Sequence, residues 1–400
     1  MALRRLNLDD RSPSATCKSK PTVTDYAPSM HKTFCSPSKY TQGINATQSL
    51  GAEMTVMGLS GPVLIVASPS PLRILEATWR KTFAEAKIAF AIHTFAGECT
   101  HAEVKRIVAA ATEAKCQTIV GAGGGKVLDA ARSAAASIKV PFISCPTIAT
   151  TDSPCCAISV IYNEAGVVEE SQLHRTNPAL VLVDTQVIAE APTRMLVAGM
   201  GDALSTLFEA RACIASKSSN MRGGSCTQVA LAIAELCYKT LLADGVEALR
   251  SAREKTVTPA LERIIEANTL LSGLGFESAG LAAAHSVHNG LTVAPGTHDF
   301  LHGEKVAFGV IAHLMLEKAT PAQIDEVLNF SYSVGLPMTL SDIGCANMSS
   351  EMLAKVAARA TIPGEWIHQE PFAVTSKMVE DAILAADAAG RAFKAKRASA

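Results

Sequence analysis

Histidines are concentrated in one short stretch of the chain. Four of the ten histidines lie in AAAHSVHNGLTVAPGTHDFLHGEK, residues 282–305. His285 and His288 are three positions apart, so a helix would place both side chains on nearly one face. His302 stands just before a second predicted helix. Histidines that come together from separate helices are typical of a metal site, because imidazole is a common metal ligand.

A carboxylate is expected as a third ligand. The stretch GMGDALSTLFEA offers Asp202 at the predicted start of a helix over residues 201–216. An aspartate at that place could instead cap the helix through its free N–H groups. A site with two histidines and one aspartate leaves a coordination position open, which is characteristic of a catalytic metal. Such an ion acts as a Lewis acid and lowers the pKa of a bound alcohol.

A glycine-rich turn provides the second chemical signal. Glycines between a predicted strand and a predicted helix let the backbone approach a pyrophosphate, which the helix N-terminus can bind. The turn, in TIVGAGGGKVLDAARSAAAS, matches neither the Walker A pattern nor GxGxxG. A tight turn that binds nothing is the structural alternative. With an open metal site, the turn predicts a dehydrogenase that moves hydride to a nicotinamide ring. Its glycines are Gly121, Gly123, Gly124 and Gly125.

The surrounding pattern predicts two architectures. Short β-branched runs alternate with helical stretches up to about residue 190, which is typical of a mostly parallel sheet with helices on both faces. Helical patterns rich in Ala and Leu follow. We therefore predict a mobile extension over residues 1–34, an α/β dinucleotide-binding domain over residues 35–190 and an all-helical, metal-binding catalytic domain over residues 191–400.

Composition restricts the function classes. Lys plus Arg, at 36, nearly balance Asp plus Glu, at 37, so we expect a small neutral substrate and neither a nucleic-acid nor a membrane partner. The eleven cysteines form no CxxC pair, which indicates reduced thiols. No apolar run reaches the ~18 residues of a membrane span. A cytoplasmic location is expected, and a mitochondrial transit peptide within residues 1–34 is the alternative.

Five blocks together resemble the iron-containing alcohol dehydrogenase superfamily, and within it the zinc-using glycerol dehydrogenase branch. The blocks are GAGGGKVLD, PTIATTDSPCCAISVIY, LVAGMGDALSTLFEARAC, GLGFESAGLAAAHSVHNG and HGEKVAFG. The resemblance implies a dehydroquinate synthase-like fold with the active site in the cleft between its two domains. It also implies NAD-dependent oxidation of the C2 hydroxyl of glycerol, and of related 1,2-diols, in a homo-oligomer, commonly an octamer.

The resemblance implies roles for individual side chains. Asp202, His285 and His302 would hold a zinc ion, with iron as the alternative. His285 would also contact the substrate. Asp152 would hold a substrate hydroxyl, although an Asx-turn before the following proline is its structural alternative. His288 would hydrogen-bond the substrate or pass on its proton.

The resemblance also implies the nucleotide contacts, and one position departs from the family pattern. Ser68 in LIVASPS stands where the family has an Asp that binds the adenosine ribose, so the carboxylate that would repel a 2'-phosphate is missing. NAD is still expected, with NADP as the alternative. At a second position, Ser38 stands where the family has the glycine of SPGKY. The expected contacts are Gly123, Gly124, Gly125, Lys126 and Val127 at the pyrophosphate, and Thr147, Ile148, Ala149, Thr150, Cys156, Ile158 and Tyr162 near the nicotinamide and ribose.

Two other functions remain open. A glycerol-1-phosphate dehydrogenase or dehydroquinate synthase-like enzyme would need basic groups for an anionic substrate, and the metal-flanking segments offer mainly Lys305. A nucleotide-binding sensor of the same fold without catalysis is the other alternative. His298 is expected to be an incidental loop residue.

Overall fold

The computed structural model describes residues 31–59, 61–164, 166 and 168–399. Most of the predicted extension over residues 1–34 therefore lies outside the described residues. Its last residues run beside a loop of the second half of the chain. The Thr33 N–H donates to Ser225 O at 3.2 Å, and the Ser225 N–H donates to His31 O at 2.9 Å.

Eight strands lie between residues 40 and 184. They are β1 (Tyr40–Gly43), β2 (Val63–Ala67), β3 (Phe90–Thr94), β4 (Thr118–Gly123), β5 (Phe142–Pro146), β6 (Ile158–Tyr162), β7 (Val168–Leu173) and β8 (Leu180–Asp184). Six of them form one parallel sheet in the order β1-β8-β5-β4-β2-β3. The other two, β6 and β7, form a separate antiparallel ribbon. Every residue of β2, β4, β5 and β8 is buried, as expected where helices cover both faces of a parallel sheet.

Helices cover this sheet and then form the rest of the molecule. The helices of the first half are α1 (Leu50–Val56), α2 (Pro69–Glu85), α3 (His101–Glu113) and α4 (Gly125–Ile138). Those of the second half are α5 (Thr185–Glu190), α6 (Thr193–Ala203), α7 (Thr206–Ser216), α8 (Gln228–Arg253), α9 (Pro259–Glu266), α10 (Ser272–Ala279), α11 (Ala283–Leu291), α12 (His302–Leu316), α13 (Pro321–Val334), α14 (Ser350–Ala360) and α15 (Ser376–Ala398). A π-helical segment, Ala267–Leu271, joins α9 to α10. Short 3-10 turns span Ala46–Ser49, Ser153–Cys155, Pro295–Thr297, Leu340–Ile343 and Trp366–Gln369.

The predicted fold class is confirmed: a parallel sheet with helices on its faces precedes a helical region. The helical region has its own large apolar core, and the two faces of the sheet have separate ones. None of the helices within the described ranges has the length and apolar character needed to cross a membrane.

The prediction of one helix over residues 201–216 is wrong at its start. The chain forms α6 and α7 there, and Asp202 lies next to the last residue of α6. The aspartate therefore does not begin a helix and cannot cap one at its N-terminus. The glycines of GMG are interior residues of α6 that permit close helix packing.

Glycines bring α6 and α12 into backbone contact. A Cβ on Gly303 would collide with the carbonyl oxygen of Ala198, and a Cβ on Gly201 would collide with the carbonyl oxygen of Gly303. Any side chain at these positions would force the helices apart, because a packed interior has no free volume. This contact places Asp202 of α6 beside His302 of α12.

We expect G303A to lower the free energy of unfolding by at least about 2 kcal/mol and to reduce metal retention, because the new methyl group separates α6 from α12. G43A is the matched control, since nothing lies within 4 Å of the position of its added Cβ. Chemical denaturation and metal analysis of both variants check this. Equal stability and metal content in G303A and G43A would show that the close helix contact is dispensable.

Candidate active site: metal centre and nucleotide cleft

Three ligand atoms of Asp202, His285 and His302 lie within 4.8 Å of one another. The Oδ1 atom of Asp202 is 3.1 Å from Nε2 of His302 and 3.5 Å from Nε2 of His285. Ligand atoms around a tetrahedral ion with bonds of ~2.0–2.1 Å are ~3.3–3.4 Å apart, which is close to these separations. Oδ1 is buried and has no hydrogen-bond partner. A buried anionic oxygen without a partner, facing two imidazole nitrogens, fits a divalent cation.

The two carboxylate oxygens of Asp202 have different partners. Oδ2 accepts a hydrogen bond from the backbone N–H of Asp152 at 3.2 Å, which leaves Oδ1 on the side of the histidines. Burial alone would raise the pKa of Asp202, but the charge of His302 and the contacts with both histidines lower it well below its ordinary value. Asp202 is therefore an anion in the folded protein, as a metal ligand must be.

Glu209 of α7 holds His285 in one orientation. Its Oε2 lies 2.7 Å from Nδ1 of His285, and its Oε1 accepts from the backbone N–H groups of His285, at 3.0 Å, and Ala282, at 2.9 Å. A carboxylate at Nδ1 fixes the proton on that nitrogen and leaves the lone pair of Nε2 for a metal. Burial would lower the pKa of His285, but the charge of Glu209 raises it well above its ordinary value.

Glu209 was not predicted from the sequence. The residue stands in the quoted stretch GMGDALSTLFEA, seven positions after Asp202. That spacing repeats after two helical turns, so it could have indicated a second carboxylate on the same face. The break between α6 and α7 and the distant partner His285 were not visible in the sequence.

His288 contacts His302, one of the three predicted metal ligands. Its Nε2 lies 3.0 Å from Nδ1 of His302, and its Nδ1 lies 3.1 Å from Oδ1 of Asn289. If Nε2 of His302 binds a metal, its Nδ1 carries the proton and donates to His288, whose own Nδ1–H then donates to Asn289. Burial lowers the pKa of His288 well below its ordinary value, and the charges of His302 and Lys305 lower it further. His288 is thus neutral, with both ring nitrogens occupied.

Asp152 lies beside the metal ligands in the loop between β5 and β6. Its side chain does not cap the turn Ser153–Cys155, so the Asx-turn alternative is not observed. Instead, Oδ2 of Asp152 accepts a hydrogen bond from Ser272 Oγ at 3.1 Å. Burial raises the pKa of Asp152 well above its ordinary value, and the charge of Asp202 raises it further.

A cleft of about 2140 Å³ extends from the N-terminus of α4 to these side chains. Asp152, His285, His288 and His302 line one part of it. The predicted nucleotide contacts that also line it are Gly124, Gly125, Lys126, Val127, Ile148, Thr150, Cys156, Ile158 and Tyr162. Three predicted contacts, Gly123, Thr147 and Ala149, are not among the lining residues, and Ala149 belongs to the core of the helical region. The volume exceeds the roughly 300–1,000 Å³ of a common small-molecule pocket.

The glycine turn is built for close approach. Gly124 is the N-cap of α4 and has no side chain to occupy the first N–H groups of the helix, which suits an anion. A Cβ on Gly124 would lie 2.7 Å from Ile148 Cδ1, and one on Gly123 would lie 2.7 Å from Val127 Cγ2. Lys126 Nζ is 2.6 Å from Glu98 Oε2, beside the N-terminus of the helix.

The two departures from the family pattern do not strain the backbone. Ser68 ends the connection from β2, N-caps α2 without a side-chain hydrogen bond and lines the cleft. Ser38 also lines the cleft, and its backbone does not have the positive φ that would favour a glycine. A glycine is therefore not required at position 38.

Basic side chains near the metal ligands are already engaged. Lys305 is buried, with Nζ 3.5 Å from Thr297 O, and it does not line the cleft. Arg359 lines the cleft but pairs with Glu365. His298 is exposed and contacts a backbone oxygen outside the cleft, as expected of an incidental residue.

Comparison with known proteins agrees with this geometry. The model of the iron-containing alcohol dehydrogenase family matches residues 37–185. A glycerol dehydrogenase of Pseudomonas putida is 47% identical over 91% of this chain and 99% of its own length. A glycolaldehyde reductase of Halobacterium salinarum is 44% identical over 90% of this chain and 99% of its own length. The crystal structure of glycerol dehydrogenase from Schizosaccharomyces pombe superposes with a TM-score of 0.89 at 32% identity, covering 94% of this chain and 95% of that one.

The chain belongs to the iron-containing alcohol dehydrogenase family. The resemblance predicted from the five sequence blocks is confirmed, and so is the assignment to a family of oxidoreductases. Within this family, the catalytic roles of the individual residues rest on the geometry described above.

We expect E209Q to weaken metal binding by about 10–100-fold, because the neutral amide no longer holds His285 by a charged hydrogen bond. E103Q is the matched control: Glu103 is also buried and its Oε1 lies 3.2 Å from His93 Nε2, but it lies outside the metal cluster. Competition with a chelator measures the affinity of each variant. Unchanged affinity in E209Q would remove Glu209 from the site.

Proposed function

We propose that this iron-containing alcohol dehydrogenase is a glycerol dehydrogenase. It would oxidise the C2 hydroxyl of glycerol, and of related 1,2-diols, to a ketone, giving dihydroxyacetone from glycerol. The observation that carries the proposal is the cluster of Asp202, His285 and His302 in a cleft that also contains the glycine turn. The similarity to glycerol dehydrogenases over nine-tenths of the chain supports the choice of substrate.

The cluster would hold zinc, with iron as the alternative. When bound, the ion supplies a Lewis acid that lowers the pKa of a substrate hydroxyl toward neutrality. Asp202 contributes the negative charge, and Glu209 directs Nε2 of His285 toward the shared position. Their burial keeps competing water away and strengthens these electrostatic interactions.

Asp152 and His288 would position the reacting groups. Burial and the charge of Asp202 raise the pKa of Asp152, and its carboxyl group would hydrogen-bond a substrate hydroxyl. Nε2 of His288 would accept the Nδ1–H of His302 and so hold the ring of His302. A direct transfer of the substrate proton to His288 would require this hydrogen bond to break, because Nδ1 of His288 already carries a proton and donates it to Asn289. We therefore propose that His288 positions His302 and that the proton leaves to solvent.

The glycine turn would hold a nicotinamide dinucleotide, and this cofactor would supply the hydride acceptor for the proposed oxidation. Gly124, Gly125 and the start of α4 would bind its pyrophosphate. NAD is the preferred cofactor in this proposal, but Ser68 supplies no negative charge against the 2'-phosphate of NADP. NADP is therefore the alternative.

We expect S68D to shift the ratio of kcat/KM for NAD over NADP by at least about fivefold toward NAD, because a carboxylate near a 2'-phosphate costs about 1 kcal/mol or more. S70D is the matched control, since Ser70 is exposed on α2 and does not line the cleft. Steady-state rates with both cofactors check this. An equal shift in S70D would mean that position 68 does not contact the ribose.

The remaining proposals concern organisation. Residues 35–190 would form the nucleotide-binding domain and residues 191–400 the catalytic domain, with the cleft between them. A homo-octamer is proposed by family resemblance and is tested by light scattering. A cytoplasmic location is proposed because the ten cysteines of the described residues are free thiols.

Reduction of a small aldehyde is the second candidate function, and the glycolaldehyde reductase relative favours it. The same side chains would serve, because oxidation of a diol and reduction of a hydroxyaldehyde are both hydride transfers between a carbon atom and a nicotinamide ring. In that case the terminal aldehyde carbon would react in place of C2.

The deciding experiment is a substrate panel with metal-analysed protein and both cofactors. We expect glycerol and 1,2-diols to be oxidised with the highest kcat/KM, ahead of glycolaldehyde reduction and glycerol-1-phosphate oxidation. H285A should retain its fold but lose the metal of this site and turnover. Full activity of H285A without metal would refute the assignment, and a strong preference for glycolaldehyde or for the phosphorylated substrate would replace it.

A further inference from the structure

A second cluster of possible metal ligands lies outside the cleft. It consists of His313, Glu317 and Glu370, whose ligand atoms lie within 4.8 Å of one another. None of the three lines the cleft. His313 lies 11 positions after His302 on the same helix, which corresponds to about 16 Å along the helix axis. The two clusters are therefore separate sites.

The cluster is buried and its polar atoms are not satisfied. His313 has no exposed surface, and Glu370 is 4% exposed. Both ring nitrogens of His313 and the Oε2 atom of Glu370 lack hydrogen-bond partners. Buried polar atoms without partners cost free energy, so a group of them that converges on one point indicates a missing occupant.

The separations within the cluster suit a cation better than direct ion pairs. Nε2 of His313 lies 3.4 Å from Oε2 of Glu317 and 3.6 Å from Oε1 of Glu370. Charge-assisted hydrogen bonds are ~2.7–2.9 Å long, so both contacts are too long for such bonds. Atoms that share a tetrahedral zinc ion are ~3.3–3.4 Å apart. The observed distances lie close to that value.

We propose that His313, Glu317 and Glu370 form a second divalent-cation site, with zinc as the fitting ion. One imidazole and two carboxylates are an established type of donor set for zinc, and their two negative charges balance the ion. The side chain of Glu317 is 27% exposed, which provides an entrance for the ion and a place for water as fourth ligand. The inference does not depend on the proposed glycerol dehydrogenase activity.

The site would have a structural role. Oε1 of Glu370 accepts a hydrogen bond from the backbone N–H of Ala283 at 3.0 Å, at the first residue of α11. An ion that fixes Glu370 to α12 would therefore also fix the start of the helix that carries His285. Loss of the ion is expected to loosen α11 without removing any ligand of the first site.

A shared proton is the rival occupant. Burial would lower the pKa of His313, but the charges of Glu370 and Glu317 raise it to about 9, which favours a proton on the imidazole when no cation is bound. That proton would leave two buried N–H groups without good acceptors. A cation at Nε2 would leave only Nδ1–H unpaired.

The test uses the full chain with the first site disabled by H285A. After saturation with ZnSO4 and desalting, elemental analysis should give two zinc ions per wild-type chain, one per H285A chain and none in H285A/E370Q. Gln keeps the volume of Glu370 and an oxygen for the Ala283 N–H. H285A/H368Q is the matched control and should keep one ion, since His368 is exposed and outside the cluster. All variants retain the same cysteines, so adventitious thiol binding cancels between them.

Thermal unfolding supplies a second readout. Zinc should raise the Tm of H285A and of H285A/H368Q but not of H285A/E370Q. D202N replaces H285A as background if H285A does not fold. A folded first-site variant that takes up no more zinc than its E370Q derivative would overturn the proposal and assign the cluster to a proton.

Discussion

The candidate active site depends on one buried charge, the carboxylate of Asp202. An ionised carboxylate without solvent costs several kcal/mol unless positive or hydrogen-bonding groups compensate it. The fold supplies these groups from three directions: the backbone N–H of Asp152 from the loop after β5, His285 from α11 and His302 from α12. The glycine contact between α6 and α12 makes this convergence possible, because any bulkier residue would hold the ligands apart.

The cluster of Asp202, His285 and His302 also connects the two halves of the chain. Asp152 belongs to the loop that follows the parallel sheet, whereas Asp202 belongs to the first long helix of the helical region. Their hydrogen bond, and the one from Ser272 to Asp152, fix this loop relative to the helices. The same loop contributes Ile148, Thr150 and neighbouring residues to the cleft. The hydrogen bond to Asp202 therefore helps to set the position of this part of the cleft relative to the three predicted metal ligands.

The sequence alone was sufficient for the fold class and for the three side chains that converge, but not for what supports them. Short apolar runs rich in β-branched residues predicted the buried strands, because a strand covered on both faces must be apolar throughout. The edge strand β1 and the exposed strand β7 lack that signal and were not predicted. Asp202 was assigned to the start of a helix but lies near the end of one, because the break between α6 and α7 has no signal in the local sequence pattern. Glu209 and Glu370 act on residues more than 70 positions away, a relation that no local pattern contains.

Those two glutamates explain how α11 can hold His285 in the cluster. The helix has no side-chain cap of its own, and alanines occupy its first positions. Glu209 accepts from the N–H of Ala282 and Glu370 from the N–H of Ala283, so two carboxylates compensate the positive end of the helix dipole. Each of them also contacts a histidine, His285 and His313 respectively. Glu209 and Glu370 thus hold the start of α11 and also take part in the two clusters. A change of charge at either glutamate must therefore act both on the position of the helix and on the geometry of the neighbouring histidine.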